Sequence, residues 1–145
     1  VADVYIYAYV RKRQKYDLDD VWADVTSLTN EVSAYVQKEK AQGRKIAVWC
    51  AGHFAFTVLS MIDSHNAIDY IIDNAEFKKD RYSPATHIPI KGPEYFIEHP
   101  VDTIMILGPM YVEEIVKEIH MKCSADVDVT TVDKTGLHFG IGVKK

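Results

Sequence analysis

The residues with the clearest signature of ligand binding surround a single glycine, Gly52, between a predicted strand and a predicted helix. The predicted strand 45–49, apolar from Ile46 on, precedes this glycine, and an amphipathic pattern from Phe54 to Ile62 follows it. In nucleotide-binding α/β folds such a turn carries the pattern G-x-G-x-x-G, which lets the backbone approach a phosphate at the helix N-terminus. The pattern would place glycines at Cys50, Gly52 and Ala55, and only the middle position is glycine. The sequence therefore indicates a ligand-binding turn at Gly52 and leaves an ordinary tight turn as the alternative.

An acidic residue stands where a sugar hydroxyl would be bound. Asp73 follows Gly52 by about 20 residues, at the end of the second predicted strand, and Asn74 comes next. In dinucleotide-binding folds a carboxylate at that place accepts hydrogen bonds from ribose hydroxyls. One interpretation of Asp73 is therefore a sugar-binding carboxylate, and the other is a carboxylate that only caps its own loop.

The carboxyl ends of neighbouring parallel strands meet at one edge of a sheet, and α/β folds bind their ligands there. We expect the following residues to line such a crevice: Gly52, His53, Asp73, Asn74, Pro109 and Tyr111. Gly52 would contribute a backbone donor, His53 a polar side chain and Tyr111 an aromatic face for stacking. A histidine at a helix start is also a common surface residue, so both interpretations of His53 stay open.

Three cations occur in the polar segment 74–86, which we predict to be a loop. They are Lys78, Lys79 and Arg81. Cations so placed would suit the charge of a diphosphate. They would equally offset the nearby acids Glu76 and Asp80.

Catalytic and metal-binding signatures are weak. Cys50 would lie at a helix N-terminus, where the dipole lowers a thiol pKa, but Phe56 stands where a phosphatase-type loop needs arginine. We therefore favour a small residue in place of a glycine over a nucleophile at Cys50. The six histidines share no metal-ligand spacing and the sequence has no C-x-x-C pair, so neither a metal site nor a catalytic set is predicted.

Composition narrows the class of protein. The chain has 145 residues, 48% of them hydrophobic and 26% charged, with a net charge of −4. These values are typical of one globular domain and argue against a nucleic-acid-binding surface, which needs a basic face. No run of about 18 apolar residues occurs, so no membrane span is predicted. Two cysteines are too few for a disulfide scaffold, and we expect a reducing, cytoplasmic location.

Strand and helix patterns alternate along the chain. A helix with a narrow apolar stripe is predicted from Asp19 to Gln42, ended by Gly43. Strands are predicted at 45–49, 68–72, 87–90, 102–107, 127–132 and 137–143, and further helices at 54–62, 93–98 and 112–122. Pro89 would confine its strand to a sheet edge. The alternation predicts an α/β fold: a Rossmann-like, doubly wound, largely parallel sheet with helices on both faces.

The N-terminal segment 1–16 is predicted to be separate from the α/β domain, 17–145. The stretch from Val4 to Val10 alternates in the manner of a strand, with tyrosines on one side and aliphatic residues on the other. Because the chain does not begin with methionine, we expect it to be a piece of a longer protein.

The order of these pieces resembles the C-terminal domain of the sugar C-methyltransferases. In that family the first strand runs into Trp-Gly-Ala-Gly, the second strand ends in Asp, and an Ile-Pro-Ile strand follows. The corresponding residues here are 49–52, Asp73 and 88–90, with further matches at 102–107, Tyr111, Glu114 and Ile115. Cys50 and Ala85 stand where the family has glycine.

This resemblance implies an accessory, non-catalytic domain that binds or positions a sugar nucleotide or a similar small molecule. The catalytic domain of the methyltransferase, with its S-adenosylmethionine, would lie upstream, and segment 1–16 would be its end. No cofactor is expected in this chain itself. The expected partners are the small-molecule substrate and the upstream domain.

Other hypotheses stay open. One is a small dinucleotide-dependent oxidoreductase that uses the turn at Gly52. Another is an interaction module in which the strand with Tyr5, Tyr7 and Tyr9 pairs with the sheet edge of a partner. The helix from Asp19 to Gln42 would pack on the sheet, brace the catalytic domain, or join two copies of the chain as a homodimer.

Overall fold

The computed structural model describes residues 17–122 and 127–140 of the chain. The helices of this part are α1 (Leu18–Ala41), α2 (His53–Met61), α3 (Pro93–Glu98) and α4 (Val112–Lys122). Its strands are β1 (Ile46–Trp49), β2 (Tyr70–Ile72), β3 (Arg81–Tyr82), β4 (Pro89–Lys91), β5 (Thr103–Ile106), β6 (Asp128–Asp133) and β7 (Gly136–Phe139). The predicted strand from Val4 to Val10 and the predicted domain boundary after residue 16 lie outside the described residues.

The strands form one sheet in the order β3-β4-β2-β1-β5-β6-β7. The inner five strands run parallel to one another, while β3 and β7 join the two edges antiparallel. The predicted α/β fold with a largely parallel sheet is therefore confirmed. The strand order reverses at β1, because the chain first builds β2 and β4 on one side of β1 and then places β5 on the other.

Helices cover both faces of this sheet, which explains why its central strands are apolar throughout. On one face α1 and α2 bury Val32 and Leu59. On the opposite face α3 and α4 bury Phe96 and Ile119. All residues of β1 and β5 are buried, so the core centres on these two strands.

Helix α1 begins and ends at the signals that the sequence carries. The Asp17 carboxylate caps it by accepting a 3.0 Å hydrogen bond from the Asp19 amide, and Gly43, with a φ of +73°, follows its end. The buried residues of α1 all lie from its middle onward: Thr29, Val32, Tyr35, Val36 and Glu39. Its first half instead exposes Leu18 and Trp22, by 79% and 65%. Neither α1 nor any other helix in the described ranges is long and apolar enough to cross a membrane.

Two predictions around β4 need correction. The segment 74–86 is not one irregular loop, because a 3₁₀ turn (Glu76–Lys78) and strand β3 lie within it. Pro89 is not in an edge strand, since β3 pairs with β4 from outside. The sheet accommodates Pro89 as the first residue of β4, where the carbonyls of Ile88 and Ile90 still accept hydrogen bonds from amides on either side of β3.

Candidate functional site

A crevice opens at the carboxyl edge of the sheet, beside the point at which the strand order reverses. It has a volume of about 310 Å³ and lies between the ends of β1 and β2 and the first turns of α4. Its lining residues are Trp49, Cys50, Asp73, Asn74, Lys78, Tyr111, Glu114, Ile115 and Glu118. This is the edge at which open α/β sheets bind their ligands.

The structure brings together half of the predicted binding residues. Those that line the crevice are Asp73, Asn74 and Tyr111. Those that lie outside its lining are Gly52, His53 and Pro109. His53 is the exposed first residue of α2, and Pro109 is exposed in the loop before α4. The crevice is therefore built from the end of β2 and the start of α4, while the binding roles of all six residues stay predictions.

Asp73 fixes the turn between β1 and α2. Its Oδ2 accepts hydrogen bonds from the Ala51 amide at 2.7 Å and from the Lys78 ammonium at 3.1 Å. Its Oδ1 accepts a hydrogen bond from the Ala75 amide at 2.9 Å. A carboxylate has about four acceptor positions, so about one remains for a ligand hydroxyl. These contacts agree with the loop-capping interpretation of Asp73. They disfavour the hydrogen bond between a carboxylate and a ribose hydroxyl that is typical of a dinucleotide site.

The cations proposed for a diphosphate already have partners. Lys78 donates to the Ala51 carbonyl at 2.9 Å as well as to Asp73. Lys79 lies within 3.1 Å of two glutamate carboxylates, and Arg81 donates through Nε to a backbone carbonyl at 2.8 Å. The charges of Lys78 and Lys79 are therefore balanced by neighbouring carboxylates, whereas Arg81 is hydrogen-bonded to a neutral carbonyl.

Cys50 lies where the β1–α2 turn meets the end of β5. Its φ is +91°, a left-handed conformation that glycine adopts at lower cost, which explains why the nucleotide-binding pattern has glycine at this place. Its thiol packs against Gly108 so closely that a Cβ at 108 would overlap Sγ. Burial, with a further contribution from the Asp73 carboxylate, raises the pKa of the Cys50 thiol to about 11. A thiol with this pKa is a poor nucleophile at neutral pH, which favours the small-residue interpretation.

Gly52 has open space in front of it. Its φ of −105° is accessible to any residue, and a Cβ there would meet no heavy atom within 4 Å. Helix α2, which Gly52 caps, has no side-chain cap and no acidic residue in its first turn. The amides at the start of α2 therefore lie where the helix dipole would stabilise an anion.

Two lining residues on α4, Glu114 and Glu118, are absent from the predicted set. Glu118 accepts hydrogen bonds from the Asn74 amide group at 2.9 Å and from the Lys122 ammonium at 2.6 Å. A spacing of four places both glutamates on one helix face. That spacing, in the helix that follows a buried strand ending at the same edge, is the signal that could have identified them.

The lining of the crevice is electronegative. It carries the carboxylates of Asp73, Glu114 and Glu118, and since Lys78 pairs with Asp73 and Lys122 with Glu118, the Glu114 carboxylate has no cation among the described residues. Carboxylates accept hydrogen bonds from hydroxyl and amine groups and repel phosphate. Within residues 17–122 and 127–140, no three His, Cys, Asp or Glu side chains are grouped to hold a metal ion. The arrangement is suited to binding hydroxyl-bearing ligands, with the start of α2 as the better place for an anion.

Comparisons with known proteins identify the family. Among solved structures, the chain is similar to UDP-D-quinovosamine 4-dehydrogenase from Vibrio fischeri, with 15% identity, a TM-score of 0.49, and coverage of 68% of this chain and 94% of that chain. Curated proteins give no match to the sequence. The family described as the C-methyltransferase C-terminal domain matches residues 11–129, which are most of the chain. This chain therefore belongs to the C-methyltransferase C-terminal domain family, as its sequence resemblance predicts.

Proposed function

We propose that this chain is the accessory C-terminal domain of an S-adenosylmethionine-dependent C-methyltransferase. The domain holds a sugar nucleotide or a similar small substrate and is not catalytic alone, while the catalytic domain and its S-adenosylmethionine belong to the rest of the polypeptide. Family membership over residues 11–129, together with a polar crevice at the carboxyl edge of the sheet, carries this proposal. The raised pKa of Cys50 supports a binding role over a catalytic one.

The proposal includes a doubly wound, Rossmann-like sheet. The reversal of strand order at β1 and the helices on both faces support it. In such a sheet the ligand lies in the crevice beside the reversal, which here adjoins Cys50 and Asp73. A cytoplasmic location, argued from the two cysteines, belongs to the same proposal.

Charge decides how a sugar nucleotide would lie in this site. The sugar would enter the electronegative crevice, where its hydroxyls donate to Glu114 and to the amide oxygen of Asn74, and its ring packs on Tyr111. The diphosphate would stay outside, toward Gly52 and the start of α2, where the helix dipole favours negative charge. In this orientation the sugar lies on one side of the β1–α2 turn and the phosphates lie on the other.

The exposed first half of α1 suggests where the catalytic domain would be held. Leu18, Val21 and Trp22 form an apolar surface that no described element covers. It lies next to the N-terminal end of the described chain, on the side from which a preceding domain would connect. We assign this surface, called here the α1 patch (Leu18, Val21 and Trp22), to contact with that domain.

Calorimetric titration of the chain with UDP-glucose and dTDP-glucose tests the proposed substrate class. We expect at least one of them to bind more tightly than either free D-glucose or the corresponding nucleoside diphosphate. Replacing Tyr111 by alanine should weaken that binding about 5-fold, because a ring-packing contact contributes about 1 kcal/mol. Tyr82→Ala is the matched control, since Tyr82 is also an exposed tyrosine but lies outside the crevice.

Two results would contradict the proposal. One is the absence of sugar-nucleotide binding at ligand concentrations up to ~10 mM, about ten times a Kd of 1 mM. The other is an equal loss of affinity in Tyr111→Ala and Tyr82→Ala, which would place the ligand elsewhere. Tight binding of S-adenosylmethionine to this chain alone would overturn the division of labour between the two domains.

A further inference from the structure

A second and larger cavity lies at the opposite edge of the sheet, where the parallel strands begin. It has a volume of about 440 Å³ and lies between the last turns of α1, the start of β6 and the end of β7. It shares no lining residue with the crevice at the carboxyl edge. Any function of this cavity is therefore independent of the function proposed for the crevice.

A buried carboxylate lines this cavity. Glu39 is only 5% exposed, and its Oε2 accepts a 2.7 Å hydrogen bond from the Thr103 hydroxyl and lies 3.1 Å from Arg44 Nε. Arg44 is held in turn by an ion pair with Asp128. The second carboxylate oxygen, Oε1, accepts no hydrogen bond from the described residues. This oxygen therefore has the capacity to accept a donor from a ligand in the cavity.

A buried hydroxyl in the same lining has no partner. Thr130 is 2% exposed, and its Oγ1 makes no hydrogen bond of good geometry within the described part of the chain, with the Tyr35 hydroxyl as a neighbour within reach. Buried polar groups are satisfied in the great majority of cases, and an exception calls for an unseen partner. The cavity is more than ten times the roughly 30 Å³ that one water occupies in the liquid, so it has room for more than a bridging water.

The other lining groups define the chemistry of that partner. The carboxylates of Glu39 and Asp128 are balanced by the cations Lys38 and Arg44, so the described lining residues carry no net formal charge to attract an ion. Two aromatic rings, those of Tyr35 and Phe139, meet edge to face with centroids 5.5 Å apart and give the cavity an apolar wall. An uncharged molecule with several hydroxyl donors and one apolar face fits this combination.

We propose that this cavity is a second ligand site, which takes a small, uncharged, hydroxylated ring such as a free monosaccharide or a cyclitol. One ligand hydroxyl donates to Oε1 of Glu39, and another pairs with the hydroxyl of Thr130. The C–H face of the ring lies against the aromatic wall formed by Tyr35 and Phe139.

Amide chemical shifts of the full 145-residue chain during titration test this site. The probes are D-glucose, D-galactose and myo-inositol, each raised to ~10 mM, with glucose 6-phosphate as the charged comparison. We expect at least one neutral probe to give saturable shifts at the amides of Gln42, Thr130 and Gly140, and the phosphate to bind less tightly. These amides surround the cavity and are remote from the crevice residues Asn74 and Tyr111.

Thr130→Val separates a ligand site from a purely structural cluster. The variant keeps the shape of the side chain and removes an unpaired hydroxyl, so its melting temperature should be unchanged or about 2 °C higher. Its affinity for the neutral probe should fall about 5-fold. Thr131→Val is the matched control, because Thr131 is the next residue of β6, is also buried, and lies outside the cavity lining. Should Thr130→Val fail to fold, Glu39→Gln takes its place, with an expected loss of about 10-fold.

Several outcomes would overturn the proposal. They are the absence of saturable shifts with every neutral probe, shifts confined to the crevice, and equal affinity in Thr130→Val and the unaltered chain. An equal loss in Thr131→Val would show that the effect belongs to β6 as a whole. A crystal soaked in the binding probe that shows ordered water only in the cavity would show that water is the missing partner.

Discussion

Cys50 combines an unfavourable backbone conformation with a tightly enclosed side chain. Its φ of +91° would suit glycine better, yet its thiol fills the space against Gly108 at the point where the strand order reverses. A positive φ in a residue with a side chain costs of order 1–3 kcal/mol, and the surrounding packing must offset that cost. Cys50 therefore closes part of the region that a glycine would leave open to a phosphate.

The raised pKa of Cys50 predicts a slow thiol. In a Cys123→Ser background, iodoacetamide should alkylate Cys50 at pH 8 at least ~10-fold more slowly than free cysteine, after allowing for the greater nucleophilicity of a more basic thiolate. The rate should still rise between pH 9 and pH 10, because the pKa of Cys50 is about 11. A rate that levels off near pH 8 would show an activated thiolate and contradict this prediction.

Alanine should destabilise the fold at Gly108 but hardly at Gly52. At Gly52 a Cβ meets open space, and the lower entropy of the unfolded chain offsets the poorer capping by alanine, so the free energy of unfolding should change by no more than about 0.5 kcal/mol. At Gly108 a Cβ would overlap the Cys50 thiol, and unfolding should become easier by about 1–3 kcal/mol. Urea denaturation of both variants measures the difference.

Binding data on the Gly52→Ala variant add a functional test. Its Cβ would fill the space through which a diphosphate approaches the start of α2, so sugar-nucleotide affinity should fall while stability is kept. Unchanged affinity would remove Gly52 from the proposed site. A large loss of stability at Gly52 would instead show that this turn tolerates no side chain.

The sequence identifies the edge of the sheet at which the crevice lies, but only part of its lining. Asp73, Asn74 and Tyr111 could be predicted because each follows a strand that ends at this edge. The role of Asp73 in holding the β1–α2 turn could not be predicted, because that role depends on amides that only the fold brings to its carboxylate. Glu118 contacts Asn74 across the crevice, and its spacing of four from Glu114 is the sequence signal that could have placed it there.

The turn between β6 and β7 has its own electrostatic stabilisation. The carboxylate of Asp133 accepts hydrogen bonds from the hydroxyl and the amide of Thr135, at 2.6 and 2.7 Å. His138 lies 3.1 Å from the same oxygen. These donors, the Thr135 hydroxyl first, lower the pKa of Asp133 to about 2 from its usual value of 3.8. The turn is thus stabilised by the ionised form of Asp133.

This shift predicts how the stability of the hairpin depends on pH. A carboxylate whose pKa is lowered by folding stabilises the folded state above its unfolded pKa, and that contribution is lost as the pH falls through the folded pKa. The contribution of Asp133 should therefore be complete above pH 3.8 and disappear as the pH approaches about 2. Thr135→Val should raise the pKa of Asp133 toward 3.8, measured by carboxyl ¹³C shifts.

Acid unfolding of the unaltered chain and of two Thr135 variants checks the prediction for Asp133. The unaltered chain should be more stable than Thr135→Val at pH 6, and the difference should narrow between about pH 4 and pH 2. Thr135→Ser, which keeps the hydroxyl donor, should behave as the unaltered chain does. A difference between Thr135→Val and the unaltered chain that stays constant down to pH 2 would show that the Asp133 carboxylate has no part in it.

Elements with strong local signals could be predicted closely from the sequence, and elements that depend on pairing could not. Helices α3 and α4 have the bounds that the sequence predicts, because proline starts one and charges of opposite sign mark the two ends of the other. Strand β3 has only two residues, and both are exposed, so no hydrophobic pattern marks it. Its existence depends on β4, and it is what moves Pro89 away from the sheet edge.

Three surfaces of the described molecule have proposed roles that its core does not require. The crevice lies at one edge of the sheet, the larger cavity at the other, and the α1 patch on the exposed half of α1. The core of the domain is complete without them, since its central strands are already covered on both faces. Surfaces of this kind are where a domain meets ligands and neighbouring domains.

The α1 patch gives a prediction for the whole molecule that fluorescence can test. Trp22 is 65% exposed and Trp49 only 2%, so in this chain alone acrylamide should quench one tryptophan and spare the other. In a polypeptide that also contains the preceding domain, quenching of Trp22 should fall, because the apolar patch is then covered. Trp22→Glu should leave the unfolding free energy of this chain within about 0.5 kcal/mol, since Trp22 is exposed and lies outside both core clusters.

The same substitution distinguishes contact with the preceding domain from pairing of two copies. If α1 patches pair two chains, sedimentation of this chain alone should show a dimer that Trp22→Glu dissociates, and quenching of Trp22 should fall as the protein concentration rises. If the patch meets the preceding domain, this chain alone should sediment as a monomer at every concentration, and Trp22→Glu should loosen the longer polypeptide at the domain junction, measured by limited proteolysis. Equal quenching of Trp22 in the short and long polypeptides would contradict the assignment of the patch, because an apolar side chain buried at a contact is shielded from a water-borne quencher.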